Sequence, residues 1–217
     1  DELTSDRFVN RRMTTRSLHE TEYFLQDEWT VNSHWMLSSG VRTNFSKAFG
    51  FMWMPKIAVK YAPDNHWALR ANYSMGYRAP SIKELFFNWD HLGMFQIKGS
   101  ENLQSEKNNY FSLGAEYSKE RFFINVNAYA NIFNKKIEGV WRIYDMQYNF
   151  EYINLKSQRM LGLEAIMKWR MTDNFMLNAT YSYVNVSKQN GIQVNTTSPH
   201  AATGSLDYTF NHPNYRL

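Results

Sequence analysis

The stretch "WALRANYSMGYRAP", Trp67–Pro80, carries an apolar or aromatic side chain at every odd position as far as Tyr77. Between them stand Ala68, Arg70, Asn72, Ser74, Gly76 and Arg78. Successive side chains of an extended chain point to opposite faces, so this alternation predicts a long strand with one greasy and one polar face. Two environments accept such a strand. A soluble sheet buries the greasy face in a core, whereas a barrel in a bilayer turns it to lipid and keeps the polar face in a wet lumen.

The composition favours two solvents. Of 217 residues, 17% are aromatic, with 7 Trp, 14 Tyr and 15 Phe, yet the mean hydropathy is only -0.57. No apolar run approaches the roughly 20 residues of a helical span, but a spanning strand needs only about 9–11 alternating ones. The absence of cysteine is compatible with either compartment. A net charge of +4 could point to nucleic acid, but Lys and Arg are scattered and no nucleic-acid motif accompanies them; they read as solvated charges, with no nucleic-acid partner. The opening "DELTSDRFVNRRM" lacks the apolar core and cleavage site of a signal peptide, so the chain reads as an interior segment.

The same period recurs near residues 21–31, 34–44, 53–61, 108–117, 122–137, 151–170, 175–187 and 200–210, giving about nine strands with 67–78 included. In "FFINVNAYANIF" Phe122, Ile124, Val126, Ala128, Ala130 and Ile132 share one face, opposite Asn125, Asn127, Tyr129 and Asn131. Short links at "TVNSH", "APDNH", "SKER", "RMTDN" and around "NHPN" alternate with longer ones at 79–107, 138–150 and 188–199. That asymmetry matches a membrane barrel with tight turns at one end and extended loops at the other. Rings collar every short link: Trp29 and Trp35, Tyr61 and Trp67, Tyr117 and Phe122, Trp169 and Phe175, and Tyr208, Phe210 and Tyr215. Rings are good strand formers anyway, but strand propensity does not explain their gathering at one end of every hairpin; an interfacial girdle does.

The alternation stops after Arg78. Pro80 removes a backbone donor and disfavours helix at Ala79, while Ser81 and Glu84 form the S-x-x-E spacing of a capping box, predicting a short helix over "SIKELFF". The segment "GYRAPSIKELFF" (Gly76–Phe87), followed by "IKGSENLQSE" (Ile97–Glu106), resembles the barrel signature of TonB-dependent outer membrane receptors. The segments "EYFLQDEW" (Glu22–Trp29), "YINLKSQRMLGLE" (Tyr152–Glu164) and "SPHAATGSLDY" (Ser198–Tyr208) resemble further strands of that family, so the likeness spans most of the chain. It departs locally, at Ser100, Glu101 and Ser105, where the family often has Asn, Pro and Pro.

The resemblance implies an all-β fold: an antiparallel meander of about nine strands belonging to a 22-stranded transmembrane β-barrel in the outer membrane of a Gram-negative bacterium. Residues 1–217 are then a single partial barrel domain, without the plug that closes such barrels. It also implies active import of a scarce nutrient, an iron-siderophore, haem or cobalamin, with energy relayed by TonB through the plug region, and outer membrane lipid around the wall.

Six residues of the signature, Arg78, Pro80, Ser81, Glu84, Leu103 and Glu106, are candidates for structural roles, with Arg78 and Glu84 positioned to pair and Glu106 to bond loop amides or a basic neighbour. For ligand contact the loop candidates are Trp89, His91, Phe95, Tyr144 and Tyr148, whose rings offer stacking area; ordinary loop packing accounts for them equally well. His91 and Met94 are of the types that ligate haem iron, but a single loop histidine is more often an ordinary polar residue, and neither a metal site nor a bound cofactor is expected. No HExxH, phosphate loop or nucleophile elbow occurs, and no catalytic residue is expected. Ser198, His200 and Asp207 supply the residue types of a triad, yet seven residues along one strand span over 20 Å at about 3.3 Å each. A soluble carbohydrate-binding module and an outer membrane barrel enzyme remain the alternative readings.

Overall fold

The alternation at Trp67 becomes one strand of a sheet in which neighbours in space are nearly always neighbours in sequence. The computed structural model describes residues 2–8, 12–144, 146–187, 198–212 and 215–216. In chain order the elements are β1 (Glu2–Ser5), β2 (Thr14–Ser17), β3 (Glu20–Thr30), β4 (Trp35–Ser46), β5 (Gly50–Tyr61), β6 (Trp67–Arg78) and α1 (Ile82–Phe86). They continue with β7 (Asn88–His91), β8 (Phe95–Lys98), β9 (Glu106–Lys119), β10 (Phe122–Tyr144), β11 (Gln147–Arg170), β12 (Phe175–Val186) and β13 (His200–Tyr208). The short pair β14 (Asn211–His212) and β15 (Tyr215–Arg216) follows. The meander runs in the order β13-β12-β11-β10-β9-β6-β5-β4-β3, stepping over only the β7–β8 hairpin.

Register puts like with like on each face. On one side Trp67 faces Tyr117, Leu69 faces Ala115 and Tyr73 faces Phe111, and this face is open: Leu113 is 67% exposed and Trp53 57%. The other face is a polar wall, in which Arg70 pairs with Glu116 at 3.1 Å, Asn72 donates to Ser112 and Asn108 to Asn131. Among the described residues no second sheet covers the apolar face, so a sandwich core is not how this face is satisfied. Along β10 that face runs from Phe122 to Ile132, about 33 Å at about 3.3 Å per residue, or about 25 Å tall at the roughly 40° tilt of membrane barrels, the height of their apolar band.

The short links are built alike. Asn32 Oδ1 accepts from the amides of His34 and Trp35 at 2.9 and 3.0 Å, and Asp64 Oδ1 from those of His66 and Trp67 at 2.7 and 2.9 Å. Thr172 Oγ1 does the same for Asn174 and Phe175. In each, a turn residue closes the chain on itself and launches an aromatic residue into the next strand. The resulting rings meet across strands: Trp35 with Tyr61 at 4.4 Å, Trp67 with Tyr117 at 4.9 Å and Phe175 with Tyr208 at 4.6 Å. The amides of His66 and then Trp67 hold the Asp64 carboxyl below the usual carboxylate range. This closure is therefore at full strength above the ordinary carboxylate pKa and is lost as pH falls through the lowered one.

Three features of the outward end differ from the sequence reading. The expected loop over 138–150 is strand, because β10 and β11 stay paired from Phe122↔Trp169 to Tyr144↔Gln147. The link between β4 and β5 is only residues 47–49, so outward connections are not uniformly long. Within 79–107 the chain forms the expected α1 but also the β7–β8 hairpin, which was not expected, with β8 parallel to β11. Residues 188–197 of the expected 188–199 link, and the centre of the turn at "NHPN", lie outside the described residues.

Adjacent residues of opposite parity test the two faces. In the intact protein Ala71→Arg, near the middle of the apolar band, is expected to cost about 2–4 kcal/mol and to cut the heat-modifiable, membrane-inserted species, whereas Asn72→Arg leaves it at the normal level. Equal surface levels for both variants would count against a lipid-facing wall.

Candidate functional site

Where β6 ends, its last charged residue is clasped. Arg78 donates through Nη1 to both oxygens of Glu84 at 3.0 and 2.9 Å and through Nη2 to Glu106 Oε2 at 3.4 Å. Glu106 Oε2 also accepts the Ile137 amide at 2.9 Å. Glu84 completes the capping box of α1: its amide donates to Ser81 Oγ and its carboxylate accepts from the Ser81 amide at 2.7 Å. Four elements, β6, α1, β9 and β10, are thus tied through one guanidinium and two carboxylates. The carboxylates are nearly covered, with 14% and 13% of their side chains exposed, and Arg78 is 43% exposed, so removing one partner costs more than the about 0–1 kcal/mol of an exposed pair and less than the about 3–5 kcal/mol of leaving a fully buried charge unpaired. Pro80 is fully buried.

Beneath the clasp lies a small apolar core of Leu85, Leu103 and Ile137, flanked by Leu18, Phe49, Phe86 and Tyr152. The segment bearing Leu103 reaches it by passing hard against the end of α1. Gly99 donates to the Phe87 carbonyl at 2.6 Å and Ser100 to the Glu84 carbonyl at 2.8 Å. A Cβ at Gly99 would lie 2.7 Å from the Leu85 carbonyl carbon and 2.8 Å from the Glu84 oxygen. Both are backbone atoms, so nothing can swing away, and the signature's glycine is explained by this contact.

Farther out the β7–β8 hairpin turns through Leu92 and Gly93, both at positive φ, with the Gly93 amide donating to Asp90 Oδ1 at 2.9 Å. Its register sets His91 opposite Phe95, and three rings gather: Trp89 to His91 at 5.0 Å, Trp89 to Phe95 at 6.0 Å and His91 to Phe95 at 4.8 Å. The cluster continues into the β10–β11 arm, Phe95 to Trp141 at 5.8 Å and Trp141 to Phe150 at 5.0 Å. The Arg7 guanidinium lies 4.5 Å from the centre of the Trp89 ring, beside a hollow of about 450 Å³ lined by Asp6, Arg7, Asn88, Trp89, Asp90 and Leu92.

Tyr148 pairs with Phe95 in the parallel register and is 57% exposed. Tyr144 stands apart in a polar chain, accepting from Lys98 Nζ at 2.6 Å and donating to Glu151 Oε1 at 2.5 Å. The structure therefore groups Trp89, His91 and Phe95, sets Tyr148 alongside and separates Tyr144. Arg7, Trp141 and Phe150 were missed; the odd-numbered alternation of Gly139, Trp141 and Ile143 was the signal for Trp141, whereas nothing in the sequence tied Arg7 to Trp89. Among the described residues no group of three or more His, Cys, Asp or Glu is placed to hold a metal ion. His200 accepts or donates at Tyr181 Oη while Asp207 accepts from Asn178; their strand parity sets them on opposite faces.

Residues 3–217 match the family model described as TonB dependent receptor-like, beta-barrel. The chain belongs to that family. It is a family of outer membrane transport receptors, not enzymes, and the protein's place is the outer membrane of a Gram-negative bacterium. The iron-regulated outer membrane virulence protein of Vibrio cholerae serotype O1 (strain ATCC 39541) is 23% identical over 207 residues, covering 88% of this chain and 31% of the relative. The chain thus spans about a third of the curated relatives it matches. Among solved structures, the siderophore receptor PirA of Pseudomonas aeruginosa superposes with a TM-score of 0.77 at 17% identity, covering 91% of this chain and 38% of that one. A mutant ferric enterobactin receptor (PfeA) of the same organism, in complex with enterobactin, gives 0.77 at 20% identity, covering 91% and 31%.

Gly99→Ala is expected to open the clasp-side loop to protease under conditions where Gly204→Ala, whose Cβ would meet nothing closer than the Asn178 carbonyl oxygen at 3.8 Å, leaves that loop protected. Limited proteolysis of the folded protein, read by mass spectrometry, distinguishes the two; equal cleavage patterns would show that the close approach at Gly99 does not matter.

Proposed function

We propose that this chain supplies wall and outward loops to a receptor that captures an iron-siderophore and imports it with energy relayed by TonB. One observation carries the reading: the Trp89–His91–Phe95–Trp141 ring cluster is held outside the apolar band by strands continuous with the wall, with Arg7 stacked on its rim. Large rings present contact area at low entropic cost, and a cation over a ring face adds attraction for an anionic or aromatic ligand. The relatives support the ligand class, since one is named iron-regulated and the solved neighbours include siderophore receptors. In this reading Trp89, His91, Phe95 and Tyr148 meet the ligand, Tyr144 steadies the arm through Lys98 and Glu151, and Arg78, Pro80, Ser81, Glu84, Leu103 and Glu106 fix the loop base. Residues 1–217 act as one partial barrel domain.

The test uses the intact receptor in detergent, with ferric enterobactin, haem and cobalamin as separate probes in a tryptophan-quenching titration. The paired change Trp89→Ala with Phe95→Ala is expected to weaken ferric enterobactin binding on the order of tenfold or more while the barrel stays heat-modifiable. Wild-type affinity in that variant would remove the cluster from the site, and binding of haem or cobalamin in place of the iron chelate would overturn the ligand class. Uptake of the labelled chelate that persists in cells lacking TonB would overturn the energy source.

A further inference from the structure

We propose that the outward arm takes the apolar tail of an acylated iron chelate, laid across two rows of side chains on one face of a four-stranded sheet. The inference rests on the proposed reading of this site as that of a chelate receptor and narrows its ligand class. Register carries β10 and β11 onto β8 and then β7, so that Ile143, Tyr148, Phe95 and His91 stand in one cross-strand row. Two residues nearer the membrane, Trp141, Phe150, Ile97 and Trp89 form the next row on the same face. Ring contacts join the rows, Phe95 to Trp141 at 5.8 Å and Trp141 to Phe150 at 5.0 Å. The opposite face differs in kind: Arg142, Asn149, Gln96 and Asp90 make one of its rows, and Val140, Glu151, Lys98 and Asn88 the other. The arm is thus an amphipathic sheet, and its apolar face has the strand parity of Asn131 and Ile137, the lumenal side.

No Asp, Glu, Lys or Arg stands in either apolar row, and the far end lies open, with Ile143 68%, Trp141 58% and Tyr148 57% exposed. A contiguous apolar patch facing water marks a binding surface. Its shape selects the occupant. Three strand spacings make the strip about 14 Å long, and its two rows make it about 7 Å wide, the outline of an extended hydrocarbon chain. Here the central strands β11 and β8 are paired along both edges. A docking peptide would find contact area but few partners for its own amides, which a hydrocarbon does not need. Charge sets the direction of the ligand. Lys98 and Arg142 are turned to the polar face, where they engage Tyr144 and Glu151, whereas Arg7 lies over Trp89 at the β7 end of the strip. The anionic chelate therefore sits at Arg7, and its tail runs across Phe95 and Ile97 toward Trp141 and Ile143.

The experiment titrates the intact receptor in lipid nanodiscs, by tryptophan quenching, with ferric enterobactin and with the same chelate carrying a dodecanoyl chain. Empty nanodiscs correct for partition of the chain into lipid. The acylated chelate is expected to bind about tenfold more tightly than the plain one. The double variant Ile97→Asn with Ile143→Asn brings the two affinities within about twofold of each other and leaves plain ferric enterobactin binding as before. Ile97→Val with Ile143→Leu keeps the advantage of the chain, which separates lost contact from lost folding, and so does Val140→Asn on the polar face. If plain ferric enterobactin binds and the chain adds nothing, the tail site is overturned and the chelate reading stands; if neither chelate binds, both go. An advantage that survives in the Asn double variant, or that Val140→Asn removes equally, also overturns the strip as the tail site. Saturation by free dodecanoate at the affinity of the acylated chelate would overturn the chelate as occupant.

Discussion

Oil offers no partner for a peptide N–H or C=O, and every other feature of this sheet follows from that. A spanning chain must satisfy each backbone group on a neighbouring strand, so it becomes a ladder, and a ladder one layer thick has two faces that meet different solvents. Side-chain chemistry can then alternate freely. The outer face needs no protein against it, which is why residues such as Leu113 and Trp53 stand open while most of the few buried apolar side chains, among them Phe8, Ile82, Leu85, Leu103 and Ile137, gather at the outward end. The same demand makes β3 and β13, the outermost strands of the meander, the places where the ladder requires further pairing.

At the outward end the solvent changes and so does the means of holding the chain. Here α1, the segment around Gly99 and the β7–β8 hairpin are fixed by ion pairs, a helix cap and a small core. Arg78 is the pivot: it is the last inward-facing residue of β6, and its guanidinium reaches carboxylates contributed by a helix six residues later and a strand twenty-eight residues later. Local sequence spacing supplies the first pairing and topology the second, since Arg78 and Glu106 are cross-strand partners in the β6–β9 register.

What could be read from the sequence was whatever repeats with period two or lies within one helical turn. The nine-strand meander, the ring-collared turns and the capping box at Ser81 and Glu84 all have local signatures, and the structure contains each of them. The extension of β10 and β11 was missed for a physical reason. Beyond Ile132 both faces meet water or other loops, so alternation passes from oil against water to ring against charge, and residues such as Lys135, at positive φ, interrupt it. The parallel pairing of β8 with β11 and the stacking of Arg7 on Trp89 join segments more than fifty residues apart; no local pattern encodes either. The role of Gly99 is similar, since a motif reveals the glycine but only the fold shows the carbonyl against which it rests.

The continuity of β10 and β11 gives the candidate ligand site its geometry. These strands leave the apolar band near Ile132 and Arg159 and run about another 40 Å as a paired arm, so Trp141 and Phe150 are held by the same register that orders the wall. A ring on such an arm keeps its direction without a core behind it, because its parity is already decided within the membrane. The β7–β8 hairpin then adds Trp89, His91 and Phe95 by docking β8 on the edge of β11, outside the span where β12 occupies that edge. Lipid-facing and ligand-facing surfaces are therefore successive stretches of one ladder, and a slip of one residue along β10 would turn Ala130 into the lumen and Trp141 away from Phe95 at a single stroke.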